Sequence, residues 1–260
     1  MRVHLTTTAQ DLGALSAELV RRISGLRVLG VATGSSPAPL WTALAADTGG
    51  LAPRAVFALD EYVGLPPGHP AGYRAVVDAT VTIPLGLDPA RVHVPDGNAP
   101  DLELAAAEFE TAIGRAGGVD LQVLGIGRNG HIGFNEPGSS VDSRTRVVEL
   151  ADQTRHDNAR FFSSVDTVPT LAVTQGIATI MSARRILLIA RGESKADAVE
   201  RLLSGGTDPS FPASILHEHD EVTVLLDASA ARRTANLAHN VPSRRFASAG
   251  ETEPHPSARS

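Results

Sequence analysis

Short apolar runs alternate along the chain with amphipathic stretches. Five runs lack polar alternation and are predicted to be strands buried on both faces: residues 26–32, 55–59, 119–126, 186–190 and 222–226. Apolar residues at helical spacing predict helices over residues 11–23, 37–46, 101–116, 153–162, 169–181 and 195–203. Strands that alternate with helices predict an α/β fold of three layers, in which a mainly parallel open sheet carries helices on both faces.

Length and composition narrow the class of protein. The 260 residues suit one α/β domain, assigned to residues 1–241, and the Ser-, Pro- and Ala-rich segment 242–260 is predicted to be a disordered tail. The net charge of −6 and the absence of a basic stripe argue against a nucleic-acid partner. No apolar run approaches the roughly 20 residues that cross a bilayer, and the N-terminus lacks a signal-peptide core. We therefore expect a cytoplasmic protein without a membrane partner. The lack of cysteine excludes disulfides and thiolate chemistry.

The loops after the strands are the places to look for chemistry, because ligands of open parallel sheets bind beyond the carboxyl ends of the strands. The first such loop is Thr33-Gly34-Ser35-Ser36-Pro37. Its glycine permits a tight turn, and its helix N-terminus suits a phosphate group. It matches no nucleotide-binding motif, so no nucleotide cofactor is predicted. The alternative is an ordinary turn with a serine cap.

Two adjacent carboxylates, Asp60 and Glu61, follow the strand at residues 55–59. Side chains diverge in an extended backbone, so we expect at most one of them to face a ligand. The alternative is a solvated turn or a helix cap.

Residues 125–140, GIGRNGHIGFNEPGSS, are the segment richest in chemical groups. His131 is flanked by Asn129 and Glu136, either of which could orient its imidazole for general acid/base catalysis. The alternative is a structural histidine. No second histidine stands at helical ligand spacing, so no metal is expected.

Two cations could clamp a phosphate dianion beside the Ser35 turn. Arg160 lies in the helix predicted at 153–162, and Lys195, the only lysine of the chain, begins the helix predicted at 195–203. The alternative for both is an exposed helix surface.

Six segments together resemble the glucosamine-6-phosphate deaminases: ATGSSP, LDEYVGLPPGHPAGYR, LGIGRNGHIGFNEPGSSVDSRTRVVEL, RHDNARFF, VPTLAVTQGIATIMSARRILLIARGESKA and PASILHEHDEVTVLLD. They occur in the order of that family and cover most of residues 26–227. The pair DEYVGL and GHIGFNEP is highly specific. The 6-phosphogluconolactonases share the Rossmann-like fold that the resemblance implies, but they lack the FNEP and DEYVGL segments.

The resemblance also implies roles for individual residues. Asp60 corresponds to the base that moves a proton between C2 and C1, and His131 to the acid/base that opens the sugar ring. Glu136 orients His131, and Asn129 stands where one branch of the family has aspartate. The positions that match the family's phosphate site are Thr33, Gly34, Ser35, Arg160 and Lys195. The implied reaction converts glucosamine 6-phosphate to fructose 6-phosphate and ammonia, with a sugar phosphate as the only partner and without a cofactor or metal, in a monomer or a homo-oligomer.

Three alternatives stay open at this point. The substrate could be galactosamine 6-phosphate, the activity could be that of a 6-phosphogluconolactonase, or the chain could sense a sugar phosphate without catalysis. Sensors of this kind carry a fused helix-turn-helix, for which residues 1–25, before the first predicted strand, leave too little room. Allosteric members of the family use an Arg-x-Lys pair, which here reads Arg146-Val147-Val148. We therefore expect weak or no activation by N-acetylglucosamine 6-phosphate.

Overall fold

Seven parallel strands form the main sheet of the computed structural model, which describes residues 1–46 and 51–234. The strands are β1 (Arg2–Thr6), β2 (Val28–Val31), β3 (Ala55–Ala58), β5 (Val92–His93), β6 (Leu121–Leu124), β9 (Ile186–Ala190) and β10 (Val222–Asp227). Their order across the sheet is β1-β10-β9-β6-β2-β3-β5, and each pair of neighbours runs parallel. The predicted α/β fold with a parallel open sheet is confirmed.

Both faces of this sheet are covered, because every residue of its central strands is buried. Their runs of Val, Leu, Ile and Ala have no polar alternation, as expected for strands between helices. The helices are α1 (Ala9–Arg21), α2 (Ala38–Ala46), α3 (Tyr73–Val77), α4 (Leu102–Arg115), α5 (Asp152–Asn158), α6 (Ile177–Met181) and α7 (Ala196–Leu203). Within the described residues, no helix is long and apolar enough to span a membrane.

A second, three-stranded sheet is the main departure from the sequence prediction. It consists of β4 (Asp60–Tyr62), β8 (Leu171–Thr174) and β7 (Arg146–Glu149), with β8 antiparallel to both neighbours. The predicted helix over residues 169–181 is wrong in its first half, where β8 lies, and right only over α6. Because β8 is paired on both sides, these long-range contacts override an apolar spacing that also suits a helix.

Smaller differences concern the start of the chain and its end. The first strand is β1, which begins at Arg2 within the stretch that was expected to precede all strands. Its residues are exposed or only partly buried, because it lies at the edge of the sheet. The predicted tail, residues 242–260, lies outside the described residues.

The two sheets are joined directly by one residue, Leu59, between β3 and β4. Its backbone N–H donates to the carbonyl of Val31 over 3.2 Å, and its carbonyl accepts from the N–H of Gln175 over 2.7 Å. The side-chain Nε2 of Gln175 also donates to the carbonyl of Ala58 over 2.9 Å. The chain therefore passes from the large sheet to the small one at a tightly bonded joint, just before Asp60.

Candidate active site

A cavity of about 600 Å³ lies beyond the carboxyl ends of β2, β3 and β6. Seven of the nine predicted site residues line it: Thr33, Gly34, Ser35, Asp60, His131, Arg160 and Lys195. The other two, Asn129 and Glu136, contact His131 from behind. The structure therefore brings together all nine residues, although they come from five separate stretches of the chain.

One end of the cavity is formed by the turn between β2 and α2. Gly34 has a φ of 93°, which only glycine adopts without strain. Trp41 of α2 donates its indole N–H to the carbonyl of Ala32 over 3.1 Å and so fixes the helix against the strand. The start of α2, with its positive dipole end, thus faces the cavity beside Ser35.

Cations surround the same end of the cavity. Burial lowers the pKa of Lys195, the carboxylate of Asp157 opposes this effect, and the charges of Arg160 and Arg128 lower the pKa further. Arg128 forms an ion pair of 3.5 Å with Asp157. Three cations thus share one nearby carboxylate, which leaves the region electropositive and suited to an anion.

Asp60 lines a part of the cavity away from these cations, none of which is among the charges that act on it, and it is only 6% exposed. No donor in residues 1–46 or 51–234 hydrogen-bonds its carboxylate. Burial raises the pKa of Asp60 well above its usual value, and the neighbouring charge of Glu61 raises it further. A carboxylate that is desolvated and free of donors is a strong base once it is ionised.

Glu61 points away from the cavity, as the alternation of an extended strand requires. Its Oε1 accepts the backbone N–H groups of Tyr62 and Tyr73, and its Oε2 accepts that of Arg74, each over 2.8 Å. Of the two adjacent carboxylates, one therefore faces the cavity and the other binds backbone donors.

His131 belongs to a chain of polar contacts that fixes its tautomer. Because the carboxylate of Glu136 can only accept, the Asn129 amide presents its Nδ2 to Oε2 of Glu136 (2.7 Å) and its Oδ1 to Nδ1 of His131 (2.8 Å). Nδ1 therefore carries the proton, and Nε2 of the neutral ring is left to accept one. The hydroxyl of Thr154 donates to Oε1 of Glu136.

The same contacts keep Glu136 ionised. Burial on its own would raise the pKa of Glu136, but the hydrogen bonds and charge of His131, together with the hydrogen bonds from Thr154 and Asn129, outweigh it and lower the pKa. An ionised Glu136 stabilises positive charge on the imidazole through Asn129 and across the 3.7 Å that separates its Oε2 from Nδ1.

Two glycines let the histidine loop approach its neighbours closely. A β-carbon at Gly127 would lie 2.3 Å from Nδ1 of His131, which no real contact allows. One at Gly133, where φ is 57°, would lie 2.9 Å from Oγ1 of Thr174 and 3.4 Å from Oδ2 of Asp60. The backbone of the loop thus passes directly beside Asp60. A larger residue at Gly127 would displace the His131 ring, and one at Gly133 would push the loop away from Thr174 and Asp60.

An aromatic wall of the cavity was not predicted. Tyr62, Tyr73 and Phe134 pack together, with the Tyr73 and Phe134 rings stacked at 5.7 Å. Burial raises the pKa of Tyr62 to about 12, and Asn158 donates to its hydroxyl over 2.9 Å. Tyr62 could have been found from the sequence, because it lies two residues after Asp60 and so shares its face of an extended strand.

No group of three or more His, Cys, Asp or Glu side chains in the described ranges could hold a metal ion. A desolvated carboxylate, a histidine of fixed tautomer and a cationic region line one cavity, and together they define an enzyme that moves protons on a small phosphorylated molecule. The chain belongs to the family of glucosamine-6-phosphate isomerases/6-phosphogluconolactonase, whose model matches residues 4–225.

Relatives and solved structures agree with this assignment. The chain is 50% identical over 237 residues to a protein of Pseudarthrobacter chlorophenolicus named glucosamine-6-phosphate deaminase, covering 89% of this chain and 92% of the relative. It is 49% identical over 241 residues to the protein of that name from Mycolicibacterium smegmatis, covering 90% and 92%.

Among solved structures, a monomeric glucosamine-6-phosphate deaminase matches with 42% identity and a TM-score of 0.86, covering 89% of this chain and 99% of that one. A 6-phosphogluconolactonase from Trypanosoma brucei matches with 20% identity and a TM-score of 0.70, covering 90% and 98%. The second likeness shows the common fold.

Proposed function

We propose that this enzyme is a glucosamine-6-phosphate deaminase, which converts glucosamine 6-phosphate to fructose 6-phosphate and ammonia. Support comes from the shared name of the relatives that match nearly their whole length. The observation that carries the proposal is Asp60, a buried carboxylate without donors that faces a cavity electropositive at its other end. That separation suits a substrate with an acidic carbon-bound proton at one end and a phosphate at the other.

The phosphate binds first in this scheme, at the Ser35 turn, with Arg160 and Lys195 as its cations. The charges of Arg160 and Lys195 do not act on Asp60, so in this scheme their binding energy positions the reacting carbons without acting on them chemically.

His131 then opens the sugar ring. Its Nε2 takes the proton of the C1 hydroxyl as the C1–O5 bond breaks and the C1 carbonyl forms, and it returns that proton to O5. Ionised Glu136, acting through Asn129, stabilises the imidazolium that exists between the two transfers.

Asp60 carries out the isomerisation. It removes the proton from C2 while the C1 aldehyde oxygen takes a proton from the substrate's C2 ammonium group, which gives a neutral enolamine, and it then delivers its proton to C1. The resulting ketimine carries its C=N bond at C2. Water adds there and ammonia leaves, which yields fructose 6-phosphate.

The test measures ammonia and fructose 6-phosphate released from glucosamine 6-phosphate, with galactosamine 6-phosphate and 6-phosphogluconolactone as parallel substrates. We expect equal amounts of the two products from the first substrate and little reaction of the others. Faster release from galactosamine 6-phosphate or faster lactone hydrolysis would overturn the proposal. Binding of sugar phosphate without release from any substrate would make the chain a sensor.

A further inference from the structure

We propose that Glu61 is a positioning residue for the deamination: its buried carboxylate joins α3 to the strand that carries Asp60, and its negative charge strengthens Asp60 as a base. The inference rests on the proposed function, because it assigns Asp60 the role of the base. Glu61 itself does not line the cavity and acts only through its neighbours.

The charge of Glu61 is not neutralised by a cation. The residue is 8% exposed, and no Arg, Lys or His of the described ranges forms an ion pair with it. Arg74, the nearest cation along α3, directs its guanidinium elsewhere: Nε donates to Asp78 and Nη1 donates to the carbonyl of Val92, each over 2.9 Å. The buried carboxylate of Glu61 is therefore stabilised by backbone N–H groups alone.

The backbone donors belong to two different elements. One is the N–H of Tyr62 on β4, and the other two are the first N–H groups of α3, at Tyr73 and Arg74. The residue before α3 is Gly72, which has no side chain with which to cap the helix. Glu61 supplies that cap from a separate strand, so the start of α3 is fixed relative to Asp60.

Tyr73 transmits this fixed position to the substrate cavity. Its ring lines the cavity and stacks on Phe134, and its hydroxyl lies 3.5 Å from that of Tyr62. Burial raises the pKa of Tyr73, and the side chain of Thr33, in the turn between β2 and α2, lies close enough to the Tyr73 hydroxyl to oppose that rise. Through Tyr73, Glu61 thus sets the distance between the base and the phosphate turn.

The second effect of Glu61 is electrostatic. The titratable groups that interact electrostatically with Asp60 are Glu61 and Tyr62 on its own strand and Tyr73 on α3, and His131 lines the same cavity. Glu61 is the one carboxylate among them, and a like charge beside a desolvated carboxylate favours its protonated form. When ionised, Asp60 is therefore a stronger base than it would be beside a neutral residue.

Two substitutions separate charge from position. Glu61→Gln removes the charge; its single amide oxygen can still accept the N–H groups of Tyr62 and Tyr73 that Oε1 accepts, while the contact with the Arg74 N–H is lost. We expect the acid limb of the kcat/KM pH profile to move to lower pH while kcat on the plateau falls about tenfold, because a weaker base is ionised at a lower pH. Glu61→Asp keeps the charge but shortens the reach to α3. We expect its acid limb to stay in place while KM rises about tenfold, because Tyr73 loses its fixed position.

The control is Glu110→Gln. Glu110 is also a partly buried carboxylate, which accepts from the Thr145 N–H over 2.9 Å and from the hydroxyls of Thr145 and Thr179, and it lies outside the cavity. Its loss should lower the melting temperature and leave the acid limb unchanged. An unmoved limb in Glu61→Gln, or an equal movement in Glu110→Gln, would overturn the proposal.

A readout that needs no turnover keeps this test separate from the proposed function. The Asp60 carboxyl carbon can be titrated by NMR in protein labelled with 13C-aspartate, its signal assigned by loss in Asp60→Asn. A lower titration midpoint in Glu61→Gln supports the inference, and an unchanged midpoint refutes it. Absence of ammonia release from the unmodified enzyme would refute the proposed function alone.

Discussion

The two ends of the cavity are built on different physical principles. At the proton-transfer end, the Asp60 carboxylate is buried without a hydrogen-bond donor, and the polar groups behind His131 are bonded to one another. At the phosphate end the cations are more exposed: Arg160 lies at the surface and the side chain of Arg128 is 57% exposed. The first end depends on fixed geometry in a dry place and the second on accessible charge. Changes at the first should therefore act on kcat, and changes at the second on KM.

The largest expected effect is that of Asp60→Asn, which should lower kcat and leave sugar-phosphate affinity nearly unchanged. The amide cannot accept the C2 proton, so kcat should fall at least about a thousandfold, near the upper part of the range for a lost general base. Sugar-phosphate affinity, measured by calorimetry, should stay within about threefold, because the phosphate end is untouched. A kcat close to that of the unmodified enzyme would show that Asp60 is not the base that removes the C2 proton.

The reverse pattern is expected from Lys195→Gln. Loss of charge-assisted hydrogen bonds worth about 1.5–3 kcal/mol should raise KM about 10- to 100-fold with a much smaller change in kcat. Initial-rate kinetics over a range of substrate concentrations check this. Arg22→Gln, which removes an exposed arginine paired with Glu18, is the matched control and should change neither constant. A variant in which kcat falls and KM does not would contradict the division between the two ends.

The two ends should also differ in their effect on stability, because a carboxylate buried without a donor lowers the free energy of unfolding when it is ionised. The folded pKa of Asp60 lies above its unfolded value, so ionising this group costs stability as the pH rises above the unfolded pKa. Asp60→Asn should therefore be more stable by about 1–3 kcal/mol at neutral and higher pH. The difference should disappear in acid, where the carboxyl is protonated in both states. Thermal melts at several pH values measure it, and equal melting temperatures throughout would show that the charge is not penalised.

A smaller effect is expected from Thr154→Val, which removes the hydroxyl that α5 supplies to Glu136. The pKa of Glu136 should rise, and kcat should fall about three- to tenfold with activity lost at a higher pH on the acid side. Thr111→Val removes a hydroxyl that bonds only the Ala107 carbonyl within α4 and should leave the profile unchanged. Identical profiles for the two variants would mean that α5 does not act on the proton-transfer end.

The smallest expected effect is a null response to N-acetylglucosamine 6-phosphate. Val148, where allosteric relatives of this sequence pattern have lysine, packs beside a small apolar cluster that includes Tyr62 and Phe134. An apolar side chain cannot bind a phosphate, so the substrate saturation curve should be the same with and without this effector. A clear activation curve would overturn the expectation.

The sequence predicted those parts of the molecule that depend on local pattern. The central strands are apolar except for Gln122 of β6, and the loops after β2, β3 and β6 carry most of the groups that the fold brings together. What could not be predicted depends on partners far along the chain. The small sheet exists because Asp60 pairs with Thr174 and Val147 pairs with Val173, neither of which has a local signal. Tyr73 enters the cavity only through the reach of Glu61 to α3, which no spacing rule could reveal.

The hydrogen-bonded joint at Leu59 fixes how Asp60 is placed relative to His131. Asp60 lies on β4 of the small sheet, whereas His131 lies in the loop that follows β6 of the large sheet. A change in the angle between the sheets would therefore change the distance between the two side chains. Gln175 does not line the cavity, yet its hydrogen bonds to the carbonyls of Leu59 and Ala58 stabilise the angle between the two sheets. The alignment of Asp60 with His131 thus depends on a residue outside the cavity, and a change at Gln175 is expected to lower kcat more than it raises KM.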